Sequence, residues 1–284
     1  MPQPTLTIYA APVRITELSD RRIVEASGIA ASRRSPGLFY IHNDSGDAAR
    51  VFLVNREGET VVTLTLSGAR HRDYEDIAIA PGAAPGTFDV CVADIGDNAA
   101  QRDEVAIYRF GEVDATAVSS AVDVETTAYR FRYEDGPHNA EGFVVHPTTG
   151  DGYVLTKRED GRSDVYVLVA PWDANELVIV SRIASLRFPP GVPPIATMVT
   201  GADLSADGRR LATRSYVGGW EWTLAPDAGA PAFASIFDTS PNGLRLALEL
   251  QGEAIAYAPG GEALLTVSEH TPTPLHEIRR VGGD

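Results

Sequence analysis

Residues 139–156 read NAEGFVVHPTTGDGYVLT, a polar triplet, an apolar run, a Pro/Gly/Asp turn and a second apolar run. This is a β-hairpin: apolar strands of four to six residues are joined by residues that supply fixed or positive φ. The leading motif recurs as EASGIA at 25–30, DYEDIA at 73–78, TGADLS at 200–205 and QGEAIA at 251–256. The third positions are Ser27, Glu75, Glu141, Ala202 and Glu253, spaced by 48, 66, 61 and 51 residues. From Glu253 through the C-terminus and on to Ser27 is a further 58, so the series closes as a ring would.

Third strands follow as VAIYRF, DVYVLV, GWEWTL and LHEIRR, and fourth strands as TAYRFRY and LVIVSRIASL. No segment holds a 3.6-residue apolar period over three turns, and the Val/Thr/Ser content of 114–126 favours strand and loop. A four-stranded antiparallel unit repeating at this spacing is a propeller blade. The expectation is therefore an all-β protein: one five-bladed β-propeller domain over residues 1–284, with blades starting near 25, 73, 139, 200 and 251. The last blade has three strands after Glu253, so residues 1–20 are expected to close the ring and remove an exposed sheet edge. A β-sandwich pair, and a sixth blade hidden in the longest interval, are the alternatives.

Composition narrows the function. Twenty-four basic against 39 acidic side chains give a net charge of −15. Nucleic acid and anionic membranes are poor partners for such a chain, and cations are good ones. The single Cys91 excludes an internal disulfide and a thiolate zinc cluster. No apolar run is long enough to span a bilayer. The N-terminus lacks the basic start and apolar stretch of a secretory signal, which points to a cytoplasmic monomer, or to an exported protein whose signal has been removed.

In a propeller the repeated motifs meet near the axis, ringed by the second-strand ends HNDSGD (42–47), ADIGDN (93–98), TKRED (156–160), TRSY (213–216) and SEHT (268–271). Three carboxylates at one narrow point must protonate or share a cation. Oxygen-only donors favour a hard ion, and calcium tolerates irregular geometry better than magnesium. Ca2+ held by Ser27, Glu75, Glu141 and Glu253 is the expectation; backbone N–H groups, Lys157 and Arg214 are the alternative partners of the acids. His42, Asp94, Lys157, Arg214, Glu269 and His270 are the candidate catalytic groups at the same rim. Lys157 and Arg214 match in register and form a candidate cationic pair for a small polar or anionic substrate. HNDSGD also reads as a calcium-loop fragment or, more simply, as an Asx-rich turn.

The series Ser–Glu–Glu–x–Glu, one residue per inner strand, resembles the calcium-activated nucleotidase (apyrase) family, five-bladed propellers with a calcium ion in the central channel. The resemblance implies Ser27, Glu75, Glu141 and Glu253 as ligands. Ala202 departs from it, standing where that family has a second Ser. The motifs DIGDN, AEGFV, TGADLS and QGEAIA also resemble a broad bacterial group of WD40-like or TolB-like propellers, a likeness that spans nearly the whole chain. Three readings follow: a calcium-dependent hydrolase-like enzyme, a non-catalytic binding propeller with a structural ion, and a five-bladed glycosidase using paired glutamates.

Overall fold

The computed structural model describes residues 7–224, 230–249, 251–269 and 271–282. Two short strands, β1 (Ile8–Tyr9) and β2 (Val13–Glu17), precede the first repeat. Then come β3 (Ala26–Ala31), β4 (Phe39–Asn43), β5 (Arg50–Val54) and β6 (Thr60–Ser67). The second repeat gives β7 (Tyr74–Pro81), β8 (Phe88–Asp94), β9 (Val105–Gly111), β10 (Ala121–Glu125) and β11 (Thr127–Tyr133). The third gives β12 (Ala140–Val145), β13 (Gly152–Thr156), β14 (Asp164–Leu168) and β15 (Val178–Ser185). The remainder are β16 (Gly201–Leu204), β17 (Arg210–Ser215), β18 (Gly218–Thr223), β19 (Asn242–Leu244), β20 (Gly252–Tyr257), β21 (Ala263–Ser268) and β22 (Pro274–Gly282).

The fold is all-β, and among the described residues two 3-10 segments, Pro194–Ala196 and Ala230–Asp238, lie between strands. Hydrogen bonding groups the strands into sheets that grow outward in chain order. β3–β4–β5–β6 takes β10 as an outer parallel partner, and β16–β17–β18–β19 stands alone. β7–β8–β9–β11 and β12–β13–β14–β15 fuse at their outer edges, where Phe131–Tyr133 pairs parallel with Val178–Val180. β20–β21–β22 is completed from the N-terminus: Val13–Glu17 pairs with Pro274–Glu277, and Tyr9 opposes Arg280. The last sheet is thus completed from within residues 1–20, with most of the pairing carried by β2 and a shorter part by β1.

The innermost strands β3, β7, β12, β16 and β20 form a circuit in which each packs on the next and β20 returns to β3. Apolar clusters fill the wedges between neighbouring sheets. Ile29, Ile41 and Phe52 meet Val267, Leu265 and Leu275 where the first and last sheets join. Tyr40, Leu53 and Leu64 meet Ile77, Val90 and Val92 in the next wedge. Ile107 and Phe131 meet Phe143 and Tyr166, and Leu155 and Val165 meet Leu211 and Trp222. Strand periodicity sends alternate side chains to opposite faces, so a sheet packed on both sides must be apolar on both. Trp222 is fully buried in this way, and Trp220 donates its indole N–H to the Ala196 carbonyl at 2.7 Å.

Candidate functional site

Four of the inner strands carry a β-bulge, and in each the extra residue is the third motif position. Ala26 opposes Asn43 and Gly28 opposes His42, leaving Ser27 unpaired. Tyr74 and Asp76 oppose Asp94 and Ala93, leaving Glu75. Glu141 and Glu253 are left in the same way in β12 and β20. A bulge re-aims the side chain it releases, and here it turns Ser27, Glu75, Glu141 and Glu253 out of the alternation of their strands. β16 is regular: Gly201 opposes Arg214 and Ala202 opposes Thr213. The blade that departs from the acid pattern also lacks the bulge.

A second tier follows from that register. After three of the second strands, β4, β13 and β21, the next residue bonds back beside the motif. Asp44 N–H donates to the Glu25 carbonyl, Lys157 N–H to Asn139 and Glu269 N–H to Gln251. Asp44, Lys157 and Glu269 thus stand at equivalent places above the bulged residues. Arg214 does not. It aligns with Thr156, one residue before Lys157, because β16 has no bulge to shift the pairing. One residue of register changes the face. Arg214 is 1% exposed, with its guanidinium against Glu249 and Nη1 donating to the Ala254 carbonyl at 3.1 Å. The expected pair of open cations at the mouth is therefore replaced by one half-buried lysine and one buried arginine.

Lys157 sits among the glutamates. Its Nζ lies 2.6 and 2.7 Å from the two Glu141 oxygens and 2.5 Å from the Tyr216 hydroxyl. Burial pulls the ammonium pKa down, but Glu141 and the other acids outweigh it and hold the group charged. Asn139 Nδ2 adds a 3.3 Å bond to Glu141. Glu253 has no such partner among the described residues. Burial first, then Glu141, pushes its carboxyl up to about 9. Ser27 Oγ donates to the Glu75 carbonyl at 3.0 Å, and Thr200 Oγ1 to the Gly252 carbonyl at 2.7 Å, knitting adjacent inner strands.

The carboxylates best arranged for a cation lie to one side of Lys157. Asp44, Asp73 and Glu75 each present an oxygen, all within 4.8 Å of one another. Glu75 is 4% exposed, and among the described residues its carboxylate makes no hydrogen bond or ion pair. Burial, then Glu141 and Asp44, drives its pKa well above the ordinary carboxylate range. Asp44 Oδ1 is buried without a partner, and burial together with Asp73 pushes this acid up to about 7. The ADIGDN loop forms the lid of the cluster. A Cβ on Gly96 would lie 2.1 Å from Glu75 Oε1 and 2.5 Å from Asp73 Oδ2, so only glycine allows this approach.

Arg102 fixes that loop. Its backbone N–H donates to Asp97 at 2.7 Å, Nη1 donates to the Gly96 carbonyl at 2.7 Å, and Nη2 pairs with Asp94 at 2.7 Å. Asp94 also accepts the Asp73 N–H at 3.2 Å. It is thus a buried anchor rather than an open carboxylate, its pKa raised by burial against the pull of Arg102. His42 is likewise internal. Gly28 lies over its ring, Nδ1 meets the Asn43 carbonyl at 2.9 Å, and burial lowers its pKa to about 4. Asn43 accepts the N–H groups of Val24 and Glu25 and donates to Asp47, so HNDSGD is an Asx-rich turn from which only Asp44 reaches the cluster. Glu269 Oε2 accepts from Gln251 at 2.5 Å. His270 lies outside the described residues.

Two acids at the fourth motif position, Asp76 and Asp203, join the inner strands to one another. Asp76 Oδ2 accepts N–H bonds from Phe143 at 2.8 Å and Ala202 at 3.0 Å, so one buried carboxylate ties β7 to both β12 and β16. Asp203 does the same between β16 and β20 through Tyr257 N–H at 2.7 Å. The available signal was a charged residue inside an otherwise apolar strand, which has to be paired.

No protein-family model and no curated protein matches the chain. The chain is similar in structure to the PQQ-bound form of aldose sugar dehydrogenase from Streptomyces coelicolor, with a TM-score of 0.55 over 97% of this chain and 99% of that one, at 10% identity. The fold is a β-propeller. At that identity the likeness extends to architecture and no further.

Proposed function

We propose that this is a five-bladed propeller that binds one divalent cation, calcium, at the mouth between Asp44, Asp73 and Glu75, and uses it to hold and hydrolyse a small anionic or polar substrate. The blade count rests on the circuit of five inner strands and on the apolar wedges between their sheets. The observation that carries the cation is the Glu75 carboxylate, 4% exposed and unpartnered among the described residues, with Asp44 and Asp73 oxygens within 4.8 Å. An ionised carboxylate buried without a partner is costly, and a hard cation satisfies all three acids at once. Of the four residues expected on the axis, Glu75 keeps the ligand role, while Lys157 already neutralises Glu141.

A cation there would polarise a carbonyl or phosphoryl oxygen, and the high carboxyl pKa of Glu253 makes it a proton donor at neutral pH. The glycosidase reading is less favoured, because both oxygens of Glu141 are held by Lys157. A non-catalytic binding propeller is the second reading, supported by the structural bonds of His42, Asp94 and Arg214. The test is turnover of a panel of p-nitrophenyl esters and phosphates with calcium and with chelator. Calcium-dependent turnover lost in Glu75→Gln supports the enzyme. A calcium-dependent melting shift without turnover supports the binding propeller.

A further inference from the structure

A cleft of about 320 Å³ opens beside the mouth, walled by Arg70, Arg72, Arg102 and Arg130 and floored by Val105, Ala106 and Tyr108. Its position follows from the strand order. β9 pairs with β11, setting Arg130 opposite Ala106, and the loop after β6 brings Arg70 and Arg72 to the same edge. Four guanidinium groups around one small cavity are unusual in a chain of net charge −15. Its acids are Asp94 and Glu104, and each is already engaged: Asp94 with Arg102 at 2.7 Å and Glu104 with Arg130 at 3.7 Å. Arg70 and Arg72 make no ion pair or guanidinium hydrogen bond among the described residues. Arg102, 8% exposed, keeps its Nε buried without a partner.

We propose that this cleft binds the phosphate group of a small phosphorylated molecule. Two unpaired guanidiniums match the charge of about −1.5 to −2 that a phosphate monoester carries at neutral pH. The planar fork of arginine suits phosphate oxygens in pairs. The volume is at the low end for ligand pockets, enough for a phosphate and a short carbon skeleton, while the chain's net charge of −15 disfavours polynucleotides and anionic bilayers. The site is separate from the cation cluster and does not depend on it, although Asp94 on its wall accepts the Asp73 N–H.

The experiment is calorimetric titration with glycerol 3-phosphate, with glycerol and with sodium chloride at matched ionic strength, on the wild type and on the double variant Arg70→Gln/Arg72→Gln. Both side chains are exposed, so the double variant keeps the wild-type melting temperature, and Arg279→Gln serves as a distant control. The expected result is saturable binding of glycerol 3-phosphate alone, unchanged in Arg279→Gln and at least tenfold weaker in the double variant. It should persist in chelator and in Glu75→Gln, which separates it from the proposed cation site. Equal affinity in the double variant, absence of saturable binding, or loss of binding on chelation would each overturn the assignment, the last by placing the anion on the mouth cation.

Discussion

Lys157 Nζ bridges both carboxylate oxygens of Glu141, at 2.6 and 2.7 Å, in the middle of the ring that the sequence assigns to a metal. The lysine and a divalent ion answer the same problem, the convergence of buried acids at the blade mouths. The lysine neutralises Glu141 and moderates Glu253 and Glu75, leaving the outer flank of Glu75 with Asp44 and Asp73 for a second cation.

Lys157→Met should therefore be destabilising, because it strands buried carboxylates without their cation. Breaking a buried pair from one side costs about 3 kcal/mol. Urea unfolding in chelator should show that loss, and calcium should recover part of it. An unchanged midpoint would mean that Glu141 has no need of the ammonium.

Stability should also depend on pH in a direction opposite to that of ordinary salt-bridged acids. Burial and neighbouring acids raise Asp44 to about 7 and Glu253 to about 9, against roughly 4 for unfolded carboxylates. Between those limits the native state binds more protons than the unfolded one, so stability falls as pH rises. It is fully present below pH ~4 and is lost through 7 and then 9. Melting temperatures in chelator should decline from pH 5 to 9, and the gain on adding calcium should grow over the same range as the ion displaces protons. A calcium increment independent of pH would contradict this.

Gly96→Ala tests the lid. The new Cβ falls 2.1 Å from Glu75 Oε1, so the carboxylate must turn away from Asp44 and Asp73. Calcium affinity should drop at least tenfold, measured by titration calorimetry, while phosphate binding at the arginine cleft is retained.

The repeat phase was legible because the third motif positions and the hairpin turns recur together, and the strands follow that phase closely, from VAIYRF as β9 to LHEIRR within β22. Register was less legible. Counting places Arg214 level with Lys157, but only strand pairing shows that β16 lacks the bulge, which drops Arg214 one step and sends it to Glu249. For a related reason, the sequence does not show Asp44 and Asp73 as partners of Glu75. They come from separate loops whose approach depends on the bulge at Glu75 and on Gly96 above it. The buried roles of His42 and Asp94 follow from neighbours far along the chain, which residue type and local spacing do not encode.

Closure at the N-terminus gives a graded truncation series. Deleting residues 1–10 removes β1 but leaves Val13–Glu17 paired with β22, whereas deleting residues 1–17 also exposes the edge of β22. Thermal melts should show a small decrease for the first and a large one for the second. Equal, negligible effects would show that ring closure contributes little to stability.

The central claim is the cation at Asp44, Asp73 and Glu75, and the direct measurement is calorimetric calcium titration of chelator-stripped protein alongside Asp44→Asn and Glu75→Gln. One calcium per chain should bind, with a melting shift corresponding to about 2.7 kcal/mol at a hundredfold excess over Kd, and both variants should lose it. Absence of binding heat together with a melting curve indifferent to calcium and chelator, or undiminished binding in both variants, would contradict the account.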